Sequence, residues 1–403
     1  MNRPAPWSAA RTLARFWPQA GLAAVLLAGL LLRLHALQAA SGRPLDPDAE
    51  TVYAIVSSMR HPYDTDFREP LWPWLVKLFR LAFGDSHEAM RYYSVAVSVS
   101  LLYVAYRFVR DYTGHVGLAL LTASWLAVSE SLAAFSVRGL RDELHALCLT
   151  GVAYFAYVPA LRPRIRAAGL AVATALTGLT VVSTIVPAWG LAAWSVWTRR
   201  LTWRGAGLVM LATIAAILPH LVNNVRVHGE PFWFTNTANT AFFRNYEYLA
   251  VKKTGCAGCP SPEEYARDSN SGRPVTLRAY VFGMHSLREV VSRVARGYSL
   301  LFVEPSDLHH YYIGSRHVLA DLAYYLGLAG LVLGPYRELL LVPVLAINLL
   351  AFVIPIGSDP RLVLHTVAIG ALAVALPVWA GLRLARSLCE APAAVAGSLA
   401  RRR

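Results

Sequence analysis

The stretch PLDPDAETVYAI, Pro44 to Ile55, places Asp46, Asp48 and Glu50 just after a long Leu- and Ala-rich run. Carboxylates at the edge of an apolar phase either face water or are held over a substrate that lives in that phase. In the second case one of them is suited to take a proton. Asp46 precedes Pro47 and has the form of a helix N-cap. Asp46 and Asp48 are both candidates for the proton-accepting role, with Asp46 also fitted to capping. Four more polar clusters follow: FREPLWPWL (67–75), SVRGLRDEL (136–144), PHLVNNVRVHGEPFWFTNTAN (219–239) and GSDPRLVLH (357–365). They supply Glu69, Arg138, Arg141 and Arg361. Guanidinium forks suit the oxygens of a phosphate or pyrophosphate, although Arg141 also has the acids of its own RDE run as partners.

What must position these groups is a membrane bundle. Of 403 residues, 56% are hydrophobic and only 15% charged, which excludes an ordinary water-soluble domain. Apolar windows near residues 17–37, 89–107, 115–136, 143–161, 167–184, 186–198, 205–222, 317–334, 338–356 and 362–383 predict an all-α polytopic membrane protein. That is about ten transmembrane helices, each needing roughly 20 residues. The pair within 167–198 is interrupted by Pro187 and also reads as one helix plus a re-entrant piece.

Arginines before the first window, after the second, in RPRIR (162–166), in TRRLTWR (198–204) and at the end fall on one side. Both termini are therefore expected in the cytoplasm, with the first span retained as a helix. The same bias, with anionic head groups as partner, explains the net charge of +14. No nucleic-acid module accompanies it, so membrane lipids and not nucleic acid are the expected partners.

The chain reads as one transmembrane domain over 1–403, with two outer segments, 39–87 and 223–316, that hold most of the polar residues. LWPWLVKLFRLAF (71–83) and HSLREVVSRVARGYSLLF (285–302) have the amphipathic pattern of interfacial helices. Cys148 and Cys389 are expected as small apolar side chains. Cys256 and Cys259, in CAGC, are expected to staple the second outer segment, with free thiols the alternative. His309 and His310 are adjacent, which on a helix turns them apart and makes them a poor metal pair.

The ordered set of motifs resembles the GT-C class of integral-membrane glycosyltransferases, in the branch of bacterial protein O-mannosyltransferases and aminoarabinose transferases. The matching elements are Asp48-Ala-Glu50-Thr-Val-Tyr53-Ala54, then Arg68-Glu69-Pro70-Leu71-Trp72-Pro73, and Phe83-Gly84 with Arg91 after it. The spacing within NNVRVHGEP and the late Pro-Arg of SDPRLVL are similar too. Where the class often has adjacent Asp-Glu, Ala49 separates the acids here. The resemblance implies a polyprenyl-phosphate sugar donor and an acceptor hydroxyl on a glycan, lipid or protein, with Asp48 as base. Arg138, Arg141 and Arg361 would hold the departing phosphate, and Glu69 would orient sugar or acceptor. Tyr53 and Trp72 would stack on a sugar, unless they are interface aromatics. Asn223, Asn224, His228 and Asn239 are candidates for sugar hydroxyls or plain loop residues.

The resemblance implies no required cofactor. A divalent cation is an option, with oxygens from Asp48 and from Asp142 or Glu143. The implied location is the inner (plasma) membrane, multi-pass, with the site on the outer, periplasmic or extracellular face. The competing reading is a transporter or flippase of a lipid-linked or anionic substrate, using the same arginines as a path. Such proteins carry repeats and polar groups near mid-membrane. This sequence shows no repeat, and its polar clusters gather at one face, which favours an enzyme. A third reading is a non-catalytic assembly protein whose outer loops bind a partner.

Overall fold

The computed structural model describes residues 7–65, 68–233, 236, 240, 244, 247–248, 275–355 and 361–400. Among these every regular element is helical. The first half comprises α1 (Trp7–Ala40), α2 (Pro47–Ser58), α3 (Leu71–Phe83), α4 (His87–Thr113), α5 (Val116–Val128), α6 (Glu130–Phe135), α7 (Asp142–Tyr157), α8 (Pro163–Thr180), α9 (Ile185–Trp197) and α10 (Trp203–His228). Further along come α11 (Leu287–Phe302) and α12 (Asp307–Ile313), within the second outer segment, then α13 (Val318–Leu333), α14 (Leu341–Val353), α15 (Arg361–Leu364) and α16 (Val367–Ala400).

All ten apolar windows fall on helices, yet the count of ten spans does not follow from their dimensions. Four described stretches are long and apolar enough to cross alone: Phe16–Ala40, His87–Thr113, Trp203–His228 and Val367–Ser387. The pair α12 and α13, bent by 72°, makes a fifth if counted as one crossing. The window expected over 115–136 is cut at Val128 because the Ser129 hydroxyl accepts from Leu132 N and starts α6. Thirteen residues of α5 rise only about 20 Å, short of the hydrocarbon thickness. The break between α8 and α9 lies at residues 181–184, not at Pro187. Pro187 sits in the first turn of α9, where its missing N–H loses no intrahelical bond.

The bundle is built by α4 on α5 and α7, α7 on α8, α8 on α10, and α16 against α5 and α13. Where helices meet most closely the sequence supplies glycine. A Cβ on Gly327 of α13 would come within 1.7 Å of Ala373 O on α16, and one on Gly297 of α11 within 2.0 Å of Ala351 O on α14. Large apolar residues of α10 and α13, among them Leu211, Leu218, Leu322 and Leu333, are exposed, as lipid-facing side chains are. Both expected interfacial segments are helices: α3 buries Leu71, Trp72, Pro73 and Val76, whereas α11 buries only Gly297 and Leu301.

The end of the bundle expected in the cytoplasm is clasped by Glu338, between α13 and α14. It accepts Arg200 Nη1 and Nη2 at 2.9 and 2.8 Å, Tyr112 Oη at 2.7 Å and Trp194 Nε1 at 3.2 Å. The turn that delivers Arg200 carries Arg199 at φ +58°, the left-handed position that follows a helix and favours glycine. His309 and His310 do not diverge as expected. Both turn their Nε2 atoms to Asp321 of α13, at 3.5 and 3.6 Å, because α12 lies across the start of α13.

Arg199→Gly is expected to raise stability by about 1 kcal/mol by removing left-handed strain without touching the clasp. The check is the thermal midpoint of the detergent-solubilised chain.

Candidate active site

The acid loop is held from below. Arg91 of α4, almost fully buried, donates from Nη2 to the carbonyls of Arg43 (2.7 Å) and Pro44 (3.3 Å) and from Nη1 to Glu88 (2.8 Å). The chain is thus fixed immediately before α2. There Asp46 accepts from Asp48 N at 3.2 Å, the capping role its sequence implied, and Glu50 accepts from Leu45 N at 3.2 Å. Ala49, Val52 and Val56 bury the inner face of α2 against Trp72, Val76 and Met90, leaving Asp48 on the rim, partly exposed.

Asp48 accepts from Arg68 Nη2 at 2.7 Å. Arg68 is buried, with its guanidinium 5.8 Å from the Trp72 ring. The next residue, Glu69, has its side chain only 1% exposed and pairs with Arg141 Nη1, which also donates to Thr180 O at 3.3 Å. The other Glu69 oxygen accepts from Val182 N at 3.3 Å. Two ion pairs from three elements therefore stand side by side. Burial first, then the like charge of Arg141, push the Arg68 guanidinium below its usual value, while Asp48 pulls it back up. Two guanidiniums that repel each other in a low-dielectric rim are a place where an added anion is stabilised.

Arg138 and Arg141 come from the loop between α6 and α7. Gly139 shapes it with φ +75°, and a Cβ there would meet Met90 Cβ at 3.3 Å and Ala49 Cβ at 3.4 Å. The turn is thereby pressed against the acid helix. Arg138 is exposed with its guanidinium 4.5 Å from the Phe135 ring. Tyr53 faces away from Asp48: its hydroxyl donates to Asp85 at 2.8 Å, Arg80 covers its ring at 4.3 Å, and His87 meets it edge-on at 4.8 Å. The bond to Asp85, before the other causes, raises the Tyr53 phenol above its usual value. Trp72 is buried and packs beneath Arg68.

Asn223 ties α10 to the first outer segment through Tyr63 O at 2.9 Å, and Asn224 donates to Pro231 O at 3.0 Å. His228 stacks on Trp233 at 4.4 Å. Asn239, Cys256, Cys259 and the side chain of Arg361 lie outside the described residues. Cys148 is a free, buried thiol. Among the described residues no three His, Cys, Asp or Glu side chains gather as a cation site. Asp48 faces Arg68, while Glu143 is buried in the field of Arg33.

Sequence reasoning missed Arg68 and Arg91. The motif REPLWP pointed to Glu69, yet the arginine beside it is the partner of the expected base. Arg91 was noted only as following Phe83-Gly84, with no signal that it grips backbone nearly fifty positions earlier.

The sequence profile of the dolichyl-phosphate-mannose-protein mannosyltransferase family matches residues 60–222. That region contains Arg68, Glu69, Arg91, Arg138 and Arg141 and stops short of the acid loop. No curated protein matches the chain significantly. The fold is similar to that of the Archaeoglobus fulgidus oligosaccharyltransferase in its apo form, with a TM-score of 0.53 at 14% identity. The match covers 93% of this chain and 52% of that one, so the chain spans about half the length of that relative. ArnT from Cupriavidus metallidurans, in a structure bound to undecaprenyl phosphate, aligns at a TM-score of 0.42 and 15% identity, over 88% of this chain and 78% of that one.

Glu69→Ala is expected to destabilise the chain by about 3 kcal/mol, since it removes the buried carboxylate of the Glu69–Arg141 ion pair. Gly139→Ala is expected to cost about 1–2 kcal/mol through its positive φ and the two close Cβ atoms. Thermal midpoints in one lipid or detergent condition check both, and an unchanged midpoint for Glu69→Ala contradicts the buried pairing.

Proposed function

We propose that this chain, which has the GT-C fold, moves a sugar from a polyprenyl-phosphate-linked donor to an acceptor hydroxyl at the outer face of the inner (plasma) membrane. The observation that carries the reading is the Asp48–Arg68 pair standing beside Arg141–Glu69 at the rim of an apolar bundle. The family match over residues 60–222 supports a glycosyltransferase, and its description names a lipid-phosphate sugar as donor.

In this reading the lipid lies between helices, and the donor phosphate takes N–H bonds from Arg68 and Arg141, with Arg138 at the exposed edge. The acceptor oxygen attacks the anomeric carbon and Asp48 removes its proton. The bond from that carbon to the phosphate oxygen breaks, and the electron pair leaves with the lipid phosphate, whose charge the arginines stabilise. Each charge-assisted hydrogen bond is worth about 1.5–3 kcal/mol, so losing one arginine slows transfer by roughly one to two orders of magnitude. Asp46, occupied as a cap, serves the base by position. Glu69 holds Arg141 and reaches substrate only through it. Tyr53, held by Arg80 and Asp85, supports the outer wall, and Arg361 opens α15 as a further candidate for the phosphate. The acceptor is a glycan, lipid or protein hydroxyl, and the protein's own groups supply the chemistry without a required cofactor.

The test uses purified protein in lipid, a panel of radiolabelled polyprenyl-phosphate sugars, and membrane extract as acceptor. Asp48→Asn is expected to lose transfer by on the order of 10²-fold or more with donor binding retained. Asp46→Asn is expected to keep most activity, with stability lower by at most about 1 kcal/mol. Full activity in Asp48→Asn beside an inactive Asp46→Asn moves the base to Asp46, and activity in both overturns the mechanism. Donor binding without transfer from any sugar turns the reading to a transporter.

A further inference from the structure

Arg33 lies seven residues before the end of α1, an apolar helix long enough to cross a membrane, and is fully buried. An ionised side chain at such depth is costly unless its groups are spent on partners. Here they are. Nε donates to Ser98 Oγ of α4 at 2.6 Å, Nη1 to Gly29 O at 3.1 Å and Ala127 O at 3.2 Å, and Nη2 to Leu126 O at 3.3 Å.

Leu126 and Ala127 form the last turn of α5, whose final carbonyls have no partner within their helix because α5 stops at Val128. In an apolar bundle such carbonyls must be met by protein, so a break in a helix stands only where a donor reaches it. From that break the chain turns into α6, which buries Leu132 and Phe135 in the core, and the loop after it carries Arg138, Gly139 and Arg141 before α7 begins. Glu143, the second residue of α7, is buried too.

We infer that Arg33 is a positioning residue for the phosphate-binding arginines: by capping the end of α5, it sets where the chain turns into α6 and the loop that carries them. The inference rests on the phosphate role proposed for Arg138 and Arg141. Arg33 touches no substrate and moves no proton. It determines how closely those two guanidiniums stand to Arg68.

The experiment compares wild type, Arg33→Leu and Arg33→Lys as full chains in lipid. It measures the Kd for a polyprenyl phosphate by tryptophan fluorescence, and kcat and KM for the sugar donor. Arg33→Leu is expected to raise both Kd and donor KM about tenfold or more while kcat falls less than threefold. Arg33→Lys keeps a charge and a smaller set of donors and is expected to fall between. If Arg33→Leu does not fold, Arg33→Lys carries the comparison, and an unchanged Kd there overturns the inference. A purely structural role lowers the active fraction, and so kcat, with Kd and KM unchanged; that result also overturns it. Wild type that binds the polyprenyl phosphate but transfers no sugar removes the transferase reading and leaves the Kd comparison to decide on Arg33. Wild type that binds no polyprenyl phosphate removes both.

Discussion

A guanidinium laid against the open carbonyl end of a helix or loop is the contact on which the bundle depends. Arg33 closes the end of α5, and Arg91 closes the backbone before α2. Arg166, buried at the start of α8, donates to the carbonyls of Phe155, Ala156 and Val158 at the end of α7. At the ends of α5 and α7 a helix stops among largely buried residues, where side chains must meet the last carbonyls. One arginine meets several acceptors at once in a fixed fork, which lysine does not. The short helices α5, α6 and α7 exist as separate elements because such donors are present.

The site follows from the same constraint. Ending α5 early turns the chain into α6 and its loop, and ending α1 at Ala40 frees the chain to turn into α2. The two excursions meet where Gly139 is pressed between Ala49 and Met90. The acid helix and the arginine loop are thus held by close packing of Gly139 on the Ala49 and Met90 side chains, and the charged side chains they carry are paired through Arg68 and Glu69. Arg68 and Glu69 bridge the two, each paired with a residue of the other element. The ion pairs satisfy four charges that would otherwise be costly at the edge of an apolar phase, and they keep cationic groups close enough together to favour an anion.

At the end expected in the cytoplasm, Glu338, Arg200, Tyr112 and Trp194 form a clasp that joins three connections. The candidate site stands at the opposite ends of the apolar windows, where the sequence gathers its polar clusters.

The sequence by itself determined that the chain is an all-helical membrane bundle, because composition and apolar run length are properties of the chain and need no partner. It also determined the cap at Asp46, since a cap is a local interaction between neighbouring residues. The candidates Asp48, Glu69, Arg138 and Arg141 were legible from residue type and motif order. Tertiary structure decided which of them meet. Arg68 is the partner of Asp48 because α3 folds back on α2. Tyr53 turns to Asp85 because Asp48 and Tyr53 lie on different sides of one helix. The number of helices able to cross alone was also not legible, for a donor from a distant helix decides where an apolar run stops being one helix. Arg33 reaches Ala127 across more than ninety positions, and no local pattern in either segment records that contact.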